Sequence, residues 1–108
     1  MTNEDEIYPA PPDGFPFEPV HPGEVLREEL TARSLTAHAL ALKLRVPANR
    51  LTEILNGKRG ISPDTALRLS RFLGPSAAFW MHLQSQYDLA STEKRSGAKI
   101  RAEVEAAA

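Results

Sequence analysis

The chain has 108 residues, no cysteine, 42% hydrophobic residues and a formal net charge of −1, which bounds it to one domain around one small core. The missing thiols exclude disulfides, thiolate metal sites and cysteine nucleophiles together. No apolar run approaches the roughly 18 residues of a membrane span, and the acidic start MTNEDEIYPAPPDG lacks the basic and apolar regions of a signal peptide, so a cytoplasmic protein is expected.

Residues 1–20 hold five of the nine prolines and little periodicity, which predicts an extended or disordered arm. Its apolar residues Ile7, Tyr8, Phe15, Phe17 and Val20 suit contact with the domain surface or with a partner. His21-Pro22-Gly23 reads as a turn into a first helix near Glu24–Ala32, with Leu26 and Leu30 inward. Two short helices follow, near 37–44 and 48–56. Leu40, Ala41 and Leu44 recur at helical spacing, Val46 follows a break, and Leu51, Ile54 and Leu55 resume the period. Ala41 is small where two crossing helices approach, Thr36 can cap the first helix, and Gly57 can end the second in the left-handed region.

Gly57 to Ile61 forms a basic loop. Ser62-Pro63-Asp64 opens a fourth helix with a capping hydroxyl, a proline at the first position and an acid in the first turn. Ala66, Leu69 and Leu73 supply its inner stripe, and Gly74-Pro75 stops it. Ser76 caps a fifth helix that places Phe79, Trp80, Leu83 and Tyr87 on one face. Residues 91–108 form a charged, alanine-rich tail whose conformation the sequence leaves open between helix and frayed chain. The prediction is an all-α, compact five-helix domain over residues 21–90, with a helix-turn-helix motif at 37–56.

Charge is distributed unevenly. Residues 1–30 carry eight acids against one base, and residues 31–73 carry eight bases against two acids, or +6. The basic block coincides with the helix-turn-helix, as phosphate binding requires.

The second motif helix supplies residues that can reach base edges. Ala48, Asn49, Arg50 and Glu53 are its outward positions, with Thr52 beside them. Arginine can bind guanine O6 and N7 bidentately, and asparagine can do the same with adenine N6 and N7. Glu53 can accept from cytosine N4 or orient Arg50; Arg50 can equally pair with Glu53 or Glu28 on a solvated face. Ala48 permits close approach or touches a thymine methyl. Thr36, Ala37, Lys43, Arg45, Thr52, Asn56, Lys58 and Arg59 are placed for the DNA backbone, which positions a protein without reading sequence. The helix starts at Ala37 and Ala48 add N–H donors.

Nothing argues for catalysis or for a cofactor. His21, His38 and His82 have no ligand-like spacing, HExxH is absent, and Asn56-Gly57-Lys58-Arg59 lacks the upstream glycine and the Ser/Thr of a phosphate loop. Phe79 and Trp80 are either core residues or aromatic anchors of a dimer interface together with Leu83 and Tyr87.

The segment LTAHALALKLRVPANRLTEILNGKRGISPDTALRLSRFLG resembles the Cro/repressor-type (XRE) helix-turn-helix. Three further segments narrow the resemblance to HigA/VapI-type antitoxins of bacterial toxin–antitoxin modules: HPGE at 21–24, LNGKRGISP at 55–63 and FWMHLQSQYDLA at 79–90. The resemblance implies a homodimer that represses its own operon by binding double-stranded operator DNA with an inverted repeat. It also implies binding of a small basic HigB-type toxin, an mRNA endonuclease. The recognition positions map onto Ala48, Asn49, Arg50 and Glu53, and the dimer-forming region onto Phe79 to Tyr87. A stand-alone XRE repressor without a toxin is the alternative. Three positions depart from the family pattern: Arg45 stands where glycine is usual in the turn, Pro47 stands where a capping Ser or Thr is usual, and Ala37 replaces a frequent polar residue. If the backbone at Arg45 has positive φ, the side chain costs on the order of 1 kcal/mol.

Overall fold

The computed structural model describes residues 20–107, which form five α-helices: α1 (Pro22–Arg33), α2 (Ala37–Leu44), α3 (Ala48–Leu55), α4 (Pro63–Leu73) and α5 (Ala77–Glu103). The all-α prediction holds. The expectations for the arm at residues 1–19, including Ile7, Tyr8, Phe15 and Phe17, lie outside the described residues. The described residues divide between two compact units, 20–87 in one and 88–107 in the other.

The first unit is built by local signals and closed by one core. α1 begins earlier than its sequence suggests, because His21 is a cap rather than part of a turn. His21 Nδ1 accepts from the Gly23 N–H at 2.9 Å, while Glu24 Oε2 accepts from the His21 N–H at 3.2 Å. Pro22 at the first position already has a helical φ and lacks only an N–H that would be unpaired. Thr36 Oγ1 accepts from the Ala39 N–H at 3.0 Å to start α2, and Ser62 and Ser76 do the same for the helices after them. Pro47 precedes α3 without a side-chain cap. Gly57, at φ 74°, closes α3 as expected.

Leu26, Leu40, Leu51, Ile54, Leu69 and Trp80 are fully buried in a single cluster. Each aliphatic side chain so buried contributes roughly 1.5–3 kcal/mol. α1 and α3 cross closely at Gly23, where an added Cβ would stand 2.0 Å from the Ile54 carbonyl oxygen.

The helix ends are fixed by arginines from other helices. Arg68 Nη1 donates to Leu44 O at 2.9 Å, Arg27 Nη2 to Leu55 O at 3.2 Å, and Arg33 Nη2 to Leu73 O at 2.8 Å. Leu44, Leu55 and Leu73 are the last residues of α2, α3 and α4, whose carbonyls have no partner within the helix. Each guanidinium supplies both a donor and a cation at the negative helix end.

α5 does not stop near Ala90: it runs on to Glu103 through the stretch read as a charged tail. Glu, Lys, Arg and Ala are good helix formers, and no proline interrupts them. Within residues 88–107, Arg101 pairs with Glu93 and Lys99 with Glu103. No helix of the described residues is long and apolar enough to cross a membrane.

Candidate nucleic-acid interface

α2, the turn at 45–47 and α3 make the helix-turn-helix. Arg45 ends α2 in the left-handed region at φ 61°, ψ 46°, and its N–H reaches the Ala41 and Leu42 carbonyls. The turn thus demands the conformation for which glycine is favoured, and an arginine supplies it at a cost of about 1 kcal/mol. In exchange it presents a cation beside α3.

α3 sorts its residues sharply. Leu51 and Ile54 are buried, whereas Asn49 and Thr52 are exposed and Arg50 and Glu53 half-buried. Ala48 is half-buried and packs against the core, which favours its close-approach role over thymine contact. The Thr52 hydroxyl donates back to the carbonyls of Ala48 and Asn49 at 3.3 and 3.2 Å, so its proton is engaged within the helix. Asn49 is left as the exposed amide at the helix start.

The charged residues are organised differently from either pairing anticipated for Arg50. Arg50 Nη1 meets Asp64 Oδ2 of α4 at 3.0 Å, and neither Glu53 nor Glu28 takes it. Glu53 instead pairs with Arg59 of the basic loop at 2.6 Å, so it does not orient Arg50. Asp64 also holds Arg68 at 2.9 Å. The Arg68 hydrogen bond, reinforced by the charges of Arg68 and Arg50 against a partial loss of hydration, keeps the Asp64 carboxyl below its usual value. Sequence reasoning does not find this carboxylate, because it lies 14 residues from Arg50 and in sequence is only a first-turn acid of α4.

The backbone candidates separate in the same way. Lys43, Arg45 and Lys58 are exposed and, among the described residues, have no carboxylate partner. Arg59 is neutralised by Glu53. Thr36 has spent a lone pair on its helix cap but retains its O–H donor. Asn56 is exposed at the C-cap of α3, and Ala37 offers only backbone N–H at the start of α2. The basic block between residues 31 and 73 is therefore less available than its count implies.

On the helix after this site, the four aromatic and aliphatic candidates do not share one environment. Trp80 is fully buried in the core, with an indole N–H that has no hydrogen-bond partner, and has no surface left for a second copy. The physical reason is helical spacing: Trp80 lies on the inward side with Gln84, while Phe79 is exposed and packs edge-on to it at 5.2 Å. Leu83 is half-buried against the core, and Tyr87 stands edge-on to His21 at 4.8 Å.

A helix-turn-helix family profile matches residues 26–80, half of the chain. A HigA-family addiction-module antidote protein from Coxiella burnetii superposes with a TM-score of 0.81 at 48% identity, covering 84% of this chain and all of that one. The chain belongs to the HigA family of XRE-type helix-turn-helix proteins. A second HigA, the Pseudomonas aeruginosa antitoxin solved with the higBA promoter, gives a TM-score of 0.80 at 45% identity over 82% of this chain and 97% of its own. Virulence-associated protein I of Dichelobacter nodosus is 50% identical over 76 residues, 69% of this chain and 70% of that protein. The profile runs from within α1 to the start of α5 and so takes in the helix-turn-helix and the basic loop.

Proposed function

We propose that this HigA-family chain is a DNA-binding antitoxin that represses its own toxin–antitoxin operon and neutralises a HigB-type mRNA endonuclease by direct binding. The observation that carries the DNA half is the surface around α3. Asn49 and Arg50 lie at the start of the recognition helix, and Lys43, Arg45 and Lys58 of the same motif and its exit loop are exposed and, among the described residues, have no carboxylate partner. The likeness to a HigA solved with its promoter supports the same half. Asn49 and Arg50 read bases, and the three cations hold phosphates. The chain acts as a homodimer on an inverted repeat, with Phe79, Leu83 and Tyr87 as the interface candidates and half-site centres roughly 34–36 Å apart.

Binding of the chain to duplexes of its upstream region and of random sequence, across a salt series, tests the reading. Affinity should fall steeply with salt, with a slope near −0.9 for each phosphate neutralised. Arg50→Ala should cost about 1–3 kcal/mol at the operator and relax one base position, whereas Lys58→Ala should weaken all sequences alike. Co-purification with a stoichiometric small basic protein encoded beside it establishes the toxin half. Recovery of the dimer alone, with operator binding intact, moves the assignment to a stand-alone repressor.

A further inference from the structure

Asp64 is the second residue of α4, and its Oδ2 receives Arg50 Nη1 from α3 at 3.0 Å and Arg68 Nε from its own helix at 2.9 Å. Arg68 donates in turn through Nη1 to the last carbonyl of α2, that of Leu44, at 2.9 Å. A continuous hydrogen-bonded path therefore runs from the end of α2 through α4 to the recognition helix. The carboxylate contacts only one nitrogen of Arg50, so the Nη2–Nε side of the guanidinium keeps the donors that a guanine O6 and N7 would accept.

Ion pairs open to solvent contribute little to stability, and here Asp64 is exposed and Arg68 half-buried. Their geometric effect is larger. A long arginine side chain held at one end samples few directions, and a carboxylate set in a basic surface repels phosphates that approach out of register. Such a repulsive element is a recognised source of specificity.

We infer that Asp64 is a specificity-determining positioning residue: it aims the Arg50 guanidinium at one base pair and withholds Arg50 and Arg68 from indiscriminate phosphate contact. This inference rests on the DNA-binding reading above, with Arg50 as a base reader.

The test takes the inverted repeat that the wild-type chain selects from a random duplex library, and measures affinity for that site, for every single-base-pair change in it, and for random duplex. In Asp64→Asn, discrimination at the one position relaxed by Arg50→Ala should fall at least about fivefold, since a bidentate contact is worth roughly 5- to 150-fold. Discrimination at the other positions should persist. Random-duplex affinity should rise, with a salt slope steeper by about one as one more cation is released to phosphate. In an Arg50→Ala background, Asp64→Asn should leave the discrimination profile unchanged. A purely structural role would instead lower the melting temperature and weaken all duplexes together. If Asp64→Asn melts below the assay temperature, Arg68→Lys serves, because it keeps the charge while breaking the planar link to Asp64 and Leu44. A wild-type chain that selects no sequence defeats the DNA-binding reading. A wild type that selects one, with a variant that discriminates as well at every position, defeats the role of Asp64 alone.

Discussion

The backbone N–H of Ile61 donates to Gln84 Oε1 at 2.7 Å, which ties the end of the basic loop to α5 through a buried side chain. The loop carries Lys58 and Arg59, so this bond sets where those cations stand relative to α3. Gln84→Ala would leave the Ile61 N–H buried without its acceptor, at a cost of about 1–3 kcal/mol. Urea denaturation should show that loss, and Gln84→Glu, which keeps an acceptor oxygen, should recover part of it.

Gly23 faces a harder constraint. A Cβ at this position would meet the Ile54 carbonyl at 2.0 Å, and that oxygen, in the last turn of α3 and accepting from the Gly57 N–H at 3.0 Å, cannot swing aside freely. Gly23→Ala should therefore destabilise by about 3 kcal/mol or more, at or above the upper end of ordinary overpacking. A thermal melt beside that of Gly57→Ala separates the two roles, since Gly57 has open space around it and only backbone strain at stake.

Arg45 trades stability for charge. Arg45→Gly removes the left-handed penalty and should raise stability by about 1 kcal/mol. The same change should flatten the salt dependence of DNA binding by nearly one unit, because one phosphate partner is gone. Chemical denaturation and a salt titration on the same preparation check both directions.

The Asp64 carboxyl is held below its usual 3.8 by its arginines, Arg68 foremost, which fixes the sign of its acid response. A carboxyl whose folded value is depressed contributes stability that is present above its unfolded value and lost as pH falls through the folded one. The stability difference between the wild type and Asp64→Asn should thus be constant near neutral pH and shrink on acidification below about 3.8. Arg50, Arg59 and Arg68 line the same cleft as Asp64. Urea midpoints at near-neutral and strongly acid pH measure the change.

Much of the architecture was written locally. The ends of α2 and α3 follow from Thr36, Leu44, Pro47 and Gly57, and the inner stripe of α4 from Ala66, Leu69 and Leu73. The glycine-like turn at Arg45 and the uncapped start at Pro47 were likewise legible, because each is a property of one residue and its neighbours. The partnerships were not. Arg50 with Asp64, Glu53 with Arg59, and Gln84 with Ile61 join residues that only the packed chain brings together. Trp80 was ambiguous for a related reason: an aromatic pair shows apolar area, and only the rotation of the helix decides which ring goes inward. The extension of α5 past Ala90 lacked a stop signal, but polar, alanine-rich sequence alone does not guarantee a helix.

The three arginines that close α2, α3 and α4 bear on how this surface tolerates change. Lysine carries the same charge as Arg27, Arg33 or Arg68, yet a single ammonium lacks the planar fork that reaches a carbonyl and a carboxylate at once. Arg33 bonds Glu29 as well as Leu73, and Arg68 bonds Asp64 as well as Leu44. Exchanging arginine for lysine, harmless by any charge count, would therefore loosen helix ends at these positions. Among the basic side chains of the domain stand two populations that no titration of net charge can tell apart: Lys43, Arg45 and Lys58 are exposed to solvent, while Arg27, Arg33 and Arg68 fasten one helix to the next.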